Sequence, residues 1–212
     1  MSFIVFEGLD GSGKSTLAQG LRQVLEKHNI SCVMTREPGG SALGGELRQL
    51  LLRLEGEPPT AKAELLLYLA DRAQHVEKII APALEKGQWV LCDRFTASTV
   101  AFQSGGRQLN IDSIDQLNDY ATGGLKPDLF VLLDLSVEDS AQRMRMRESI
   151  QGDSPDRFEQ EAKDFHERVR MSYIQQAQKT PDRWFVLSAT QSPEELLQEL
   201  LSELKRRKWL VV

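Results

Sequence analysis

The octapeptide Gly8-Leu9-Asp10-Gly11-Ser12-Gly13-Lys14-Ser15 follows directly on the apolar run Phe3-Ile4-Val5-Phe6 and leads into a stretch of helical periodicity. It fits the pattern G-x-x-x-x-G-K-[ST], whose required setting is strand, glycine-rich turn, helix. Glycine removes the side chains that would stop successive backbone N–H groups from converging on a phosphate. The helix that starts near Lys14 adds the positive end of its dipole. Lys14 is then placed to reach the β- and γ-phosphates of a nucleoside triphosphate, and Ser15 to meet a Mg2+ ion. A glycine-rich turn without a ligand is the plainer alternative, and the flanking strand and helix weigh against it.

Further along the chain, apolar runs alternate with helical patterns. Strands are expected at 2–7, 31–36, 88–93, 129–135 and 183–187. Helices are expected at 14–28, 41–53, 60–85, 96–107, 112–122, 136–147, 158–178 and from 193 to 207, with Pro82 kinking the third. Five strands alternating with helices specify one α/β domain over 1–212 with a P-loop NTPase fold. This is a doubly wound five-stranded parallel sheet with helices on both faces. The polar segment 148–157, with Gly152 and Pro155, separates two helical stretches and reads as part of a mobile lid over 143–158.

Composition narrows the function. A formal charge of −5 and a hydrophobic fraction of 41% describe a globular protein without the basic surface of a nucleic-acid-gripping domain. That balance disfavours a DNA-processing ATPase, and the chain lacks the N-K-x-D motif of a GTP-binding switch protein. Cys32 and Cys92 fall in apolar runs and read as buried reduced thiols, in keeping with a cytoplasmic setting. His28, His75 and His166 have no companions at metal-binding spacing. Nothing at the start of the chain directs it to a membrane. The basic run Lys205-Arg206-Arg207-Lys208 suits a helix C-terminus.

A kinase whose acceptor is itself an anion needs more positive charge than a water-using NTPase. Tyr68 and Arg72, four apart on one helix face, offer an aromatic ring and a guanidinium together; a core tyrosine beside a surface arginine is the alternative. Asp93 and Arg94 end a buried strand at the edge where ligands gather. There the carboxylate can hold Mg2+ through water and the arginine can meet the acceptor phosphate; a structural ion pair is the alternative. Arg143 and Arg147 share a helix face that excludes Arg145, with Arg157 beyond the polar segment. These are lid arginines for the transferring phosphate, or else a solvated basic face.

Taken together, these motifs resemble the thymidylate kinase family, in its bacterial form. The resemblance rests on Gly8 to Thr16, on Thr35-Arg36-Glu37-Pro38-Gly39-Gly40, and on Asp93-Arg94-Phe95 through Ser98 and Ala101-Phe102-Gln103. Gly11 stands where the eukaryotic form carries an arginine, and arginines occupy the lid segment instead. The resemblance implies ATP-dependent phosphorylation of dTMP by a Mg2+-dependent, cytoplasmic homodimer. ATP would lie along Gly8, Leu9, Asp10, Gly11, Ser12, Gly13, Lys14, Ser15 and Thr16. It implies that dTMP meets Asp10 through its 3′-hydroxyl, Tyr68 through its base, and Arg72 and Arg94 through its phosphate. Glu37, Pro38, Ser98, Thr99 and Gln103 would line the pocket, and Phe102 would crowd a ribose 2′-hydroxyl. Lys14, Arg94, Arg143, Arg147 and Arg157 would neutralise charge during transfer. Ser15, Asp93 and Glu159 would serve the metal, with Asp156 nearby. A kinase of another nucleotide or small metabolite is the nearest rival.

Overall fold

The structure, a computed structural model, describes residues 2–151 and 156–210. The strands are β1 (Phe3–Glu7), β2 (Cys32–Arg36), β3 (Trp89–Asp93), β4 (Leu129–Asp134) and β5 (Trp184–Ser188). They form one parallel sheet in the order β2-β3-β1-β4-β5. The helices are α1 (Lys14–Lys27), α2 (Ala42–Leu52), α3 (Ala61–His75), α4 (Ala81–Glu85), α5 (Thr96–Thr99), α6 (Ile111–Thr122), α7 (Val137–Gln151), α8 (Lys163–Lys179) and α9 (Pro193–Arg206).

β1 is central and apolar on both faces because both are covered. Its side chains alternate: Ile4 and Phe6 join Leu17 and Leu21 of α1 and Leu196, Leu200 and Leu204 of α9. Phe3 and Val5 join Val169 and Tyr173 of α8 on the opposite face. A third cluster, built on Leu65, Leu69 and Ile114, holds α3 against α6. From β1 the chain passes first toward β2 and later toward β4, so the strand order reverses beside β1. A crevice at the carboxyl ends of the strands is the consequence.

Several element boundaries differ from the sequence-based expectation. The stretch expected as one helix over 60–85 is α3, a π-helical turn over Val76–Ile80, and α4. Pro82 lacks an N–H and its ring would strike the carbonyl four residues back, so the wider turn relieves both problems. The stretch expected over 96–107 likewise becomes α5 followed by a π-helical turn, Val100–Gly106. α7 runs on to Gln151 rather than ending at 147, and α8 starts at Lys163 rather than at 158. Asp156 accounts for the late start: its Oδ1 accepts from the N–H of Phe158 at 2.8 Å and of Glu159 at 3.0 Å. A side chain that captures local N–H groups turns the chain instead of continuing a helix. Residues 152–155 of the expected lid lie outside the described residues. Of the two free thiols, Cys92 is buried and Cys32 is half-buried on β2. No described helix is long and apolar enough to cross a membrane.

Candidate active site

The glycine-rich loop leaves β1 with backbone angles that only glycine takes without strain. Gly8 has φ 135°, and a Cβ there would stand 2.5 Å from the Leu133 carbonyl oxygen. Gly11 has φ 73°, and a Cβ there would press to 3.2 Å from the Cβ of Arg143. The bare Gly11 therefore lets α7 lie against the loop. Ser140 Oγ donates to the Asp10 carbonyl at 2.7 Å, and Arg143 Nη1 donates to the Gly11 carbonyl at 3.2 Å. Arg143 Nη2 also donates to the Ala189 carbonyl at 2.7 Å. Lys14 Nζ curls back to the carbonyls of Gly8 and Leu9 at 3.2 and 2.9 Å. Burial, and the neighbouring Arg94, lower the Lys14 pKa. Ser15 Oγ donates to Asp93 Oδ2 at 2.8 Å, which brings the helix start and the end of β3 together.

Arg94, the first residue after β3, takes φ 68°, a conformation that costs a non-glycine residue about 1 kcal/mol. Its N–H donates to the Phe6 carbonyl at 3.0 Å, which holds that turn. Its guanidinium reaches Asp10 Oδ1 at 2.7 Å, Tyr173 Oη at 3.1 Å and Ser98 Oγ at 3.3 Å, above the Phe102 ring. Burial alone would raise the Asp10 pKa, but Arg94 and Lys14 hold the carboxyl well below the usual range. Beneath this group lies Glu7, fully buried. Its carboxylate accepts from Phe95 N–H at 3.0 Å, Ser98 N–H at 3.2 Å, Ser98 Oγ at 2.6 Å and Tyr173 Oη at 3.0 Å. Burial pushes the Glu7 carboxyl up, against the pull of Arg94.

Arg72, only 1% exposed, is held on every side. Nε donates to Glu37 Oε2 at 2.8 Å, and Nη1 donates to Thr99 Oγ1 at 2.7 Å and Asn118 Oδ1 at 2.6 Å. His75 Nδ1 meets the other Glu37 oxygen at 2.8 Å. Arg36 and Arg48 converge beside this group; Arg48 Nη1 donates to the Pro38 carbonyl at 3.0 Å. Burial and the charge of Arg36 lower the Arg48 pKa. Two cations facing one space make an anion site.

One cavity of about 640 Å3 runs from the loop, at Gly11 and Gly13 to Thr16, past Arg94, Arg72, Arg36 and Arg48 to the rings of Tyr68, Phe102 and Phe158. Its walls hold a triphosphate loop at one end and an arginine-rich aromatic slot at the other.

The profile of the thymidylate kinase family matches residues 6–200. The chain belongs to that family. It is 53% identical over 210 residues to a thymidylate kinase of Bdellovibrio bacteriovorus, covering 99% of this chain and 98% of the relative. It is 47% identical over 205 residues to one from Desulfovibrio desulfuricans, covering 96% of this chain and 94% of the relative. The crystal structure of a thymidylate kinase from Ehrlichia chaffeensis superposes with a TM-score of 0.76 at 32% identity, covering 96% of this chain and 98% of that one.

Of the residues that the family resemblance singles out, the cavity gathers Asp10, Gly11, Gly13, Lys14, Ser15, Thr16, Glu37, Pro38, Tyr68, Arg72, Asp93, Arg94, Ser98, Thr99, Phe102, Gln103, Arg143 and Arg147. Gly8, Leu9 and Ser12 stand behind its wall and shape the loop, whereas Arg157 and Glu159 are turned elsewhere. Arg157 is drawn to Glu64, 2.7 Å away, and to the Leu51 carbonyl. Glu159 pairs with Arg147 at 3.0 Å and lines a second cavity behind α7, together with Arg145 and His166. Sequence reasoning missed Glu7, Arg48 and Phe158. Glu7 left one signal, a carboxylate ending an otherwise apolar strand.

Proposed function

We infer that this chain transfers the γ-phosphoryl group of ATP to dTMP, giving dTDP and ADP, by direct in-line displacement. The observation that carries this reading is the single cavity with a triphosphate loop at one end and an arginine-lined aromatic slot at the other. The membership of the chain in the thymidylate kinase family supports the choice of substrate.

ATP phosphates would lie on the N–H groups of residues 11–16, with Lys14 exchanging its carbonyl partners for phosphate oxygens. The dTMP base would stack on Tyr68 in the slot walled by Phe102 and Phe158. Its phosphate would face Arg94, Arg36 and Arg48, and its 3′-hydroxyl Asp10. Arg72, with its N–H groups committed to Glu37, Thr99 and Asn118, acts from the pocket floor. The acceptor oxygen is already ionised, so positioning and charge neutralisation by Lys14, Arg94, Arg143 and Arg147 carry the reaction. Mg2+ would be held by Ser15 and Asp93, whose oxygens lie 2.8 Å apart and suit a hard cation. When bound, it supplies charge neutralisation at the transferred group.

We place the enzyme in the cytoplasm as a homodimer. Free thiols support the first statement. Exposed Leu43, Leu50 and Leu66 on α2 and α3 support the second, since they offer apolar surface for a partner copy to cover. Light scattering on the purified chain tests the dimer, and a monomer mass at micromolar concentration would reject it. A panel of monophosphates tests the activity. ADP release should be fastest with dTMP, and faster release with AMP, CMP or UMP would overturn the assignment.

A further inference from the structure

Glu64 of α3 is fully buried and lies outside the wall of the active-site cavity, yet three hydrogen bonds and one ion pair converge on it. Gln103 Nε2 donates to Oε1 at 3.0 Å. Arg107 donates through Nε to Oε1 and through Nη2 to Oε2, both at 3.2 Å. Arg157 Nη2 lies 2.7 Å from Oε2 as an ion pair, and its Nε donates to the Leu51 carbonyl at 3.1 Å. Arg107 Nη1 pairs in addition with Glu161. Two arginines and two carboxylates thus balance within one cluster. It joins α3, the chain after α5, the end of α2 and the segment that precedes α8.

Both guanidiniums rest on the ring of Phe158, at 4.6 Å for Arg157 and 5.4 Å for Arg107. The other surroundings of that ring are Tyr68 at 6.2 Å, Phe102 at 5.6 Å and Phe165 at 6.5 Å. Phe158 is therefore a cavity wall whose setting is fixed from behind by charges that Glu64 holds in place. A buried ion cluster is a poor device for stability alone, because apolar residues of equal volume do as well or better. It does define a geometry, since each cation has one place where its charge is matched.

We propose that Glu64 is a positioning residue for the acceptor site. Through Arg157 and Arg107 it sets Phe158, and with it Asp156, against the slot that receives the dTMP base. This rests on the reading that the base stacks in the slot of Tyr68, Phe102 and Phe158. In this assignment Arg157 belongs to the clasp and not to the set that neutralises transferring phosphate.

Steady-state kinetics on Glu64→Gln, Arg157→Gln and the double variant, with Phe158→Ala alongside, tests it. Glu64→Gln should raise the KM for dTMP about tenfold or more while the KM for ATP moves less than about twofold. Arg157→Gln should do the same to a smaller degree. The double variant should be no worse than Glu64→Gln alone, because the cation left unpaired by the first change is gone. A KM for dTMP in Glu64→Gln that stays within about twofold of the parent, while Phe158→Ala raises it, would overturn the clasp and leave the slot standing. Equal shifts in both KM values would also overturn it, as a merely structural role acts on both substrates. An unchanged KM for dTMP in Phe158→Ala would remove the base from the slot and the positioning role with it. If Glu64→Gln fails to fold, Arg157→Gln decides by the same KM split, since its side chain is 15% exposed and reaches the cluster from a surface segment.

Discussion

The Arg94 guanidinium stands 2.7 Å from the Asp10 carboxylate, joining the loop after β1 to the end of β3 across 84 residues of sequence. The pair puts a cation that can bind the acceptor phosphate beside the loop that binds the donor. Three anchors fix it: the left-handed turn at Arg94, the Phe102 ring below, and the Ser98–Tyr173–Glu7 network behind. The buried Glu7 carboxyl accepts from the Ser98 and Tyr173 hydroxyls, and those two hydroxyls in turn meet the Arg94 guanidinium before any phosphate arrives. An arginine held at the reaction site by the fold needs little reorganisation when charge develops there.

Arg94→Ala is expected to lower kcat/KM for dTMP by about a hundredfold to a thousandfold, the effect of losing a buried charge-assisted contact of about 3–4 kcal/mol. ATP binding, measured by equilibrium titration, should change little, because Lys14 and the loop N–H groups remain. The parent value of kcat/KM in the variant would remove Arg94 from the acceptor site.

Phe102 lies under Arg94 at 5.1 Å and packs edge-on to Phe158. The family resemblance puts this ring where a ribose 2′-hydroxyl would fall. Phe102→Ala should therefore relax discrimination against a ribonucleotide acceptor by about tenfold, the scale of a few lost contacts. The ratio of kcat/KM for dTMP to that for the matching ribonucleotide is the measurement. An unchanged ratio, even with lower activity, would reject the steric role and leave only support of Arg94.

Much of this site was legible because its parts sit at strand ends. Gly8 to Ser15 and Asp93-Arg94 each follow an apolar run, so their place at one sheet edge follows from the fold class alone. The four-residue spacing of Tyr68 and Arg72 put both on one helix face, and both line the cavity. Spacing could not reveal that Glu37, Thr99 and Asn118 would take the N–H groups of Arg72, since those residues lie on three separate segments. Arg157 shows the same limit. Its neighbours in sequence suggested a phosphate ligand, whereas its partner, Glu64, lies on α3. The start of α8 was misread because helical periodicity does not register one aspartate turning the chain at Asp156.

Gly11→Ala probes the contact between the loop and α7. The native φ of 73° is unfavourable for alanine, and the new Cβ would press on Arg143. Stability should fall by about 1–2 kcal/mol. The KM for ATP should rise as Arg143 loses its hold on the Gly11 carbonyl. Urea denaturation together with ATP kinetics checks both. Parent-like values in both measurements would show that the loop can accept a side chain, so that the packing of α7 does not depend on a bare position there.

Asp71 supplies a pH-dependent test of the scaffold. Its Oδ1 accepts the Gly39 N–H at 3.1 Å, while Oδ2 has no hydrogen-bond partner among the described residues. Burial, reinforced by the nearby Glu37 carboxylate, pushes its carboxyl up to about 6. The folded chain thus binds this proton more tightly than the unfolded chain does, where the group titrates near about 3.9. The stabilising contribution is fully present below about pH 4 and is lost as pH rises through about 6. Asp71→Asn keeps the acceptor for Gly39 and cannot ionise. Its stability relative to the parent should therefore climb between about pH 4 and pH 7, by about 2 kcal/mol. Urea unfolding of both proteins at about pH 4.5 and pH 7.5 measures that difference and cancels the titration of all other groups. A relative stability that stayed flat or fell with pH would mean that Asp71 is ionised throughout, with its charge met by Arg72 and His75.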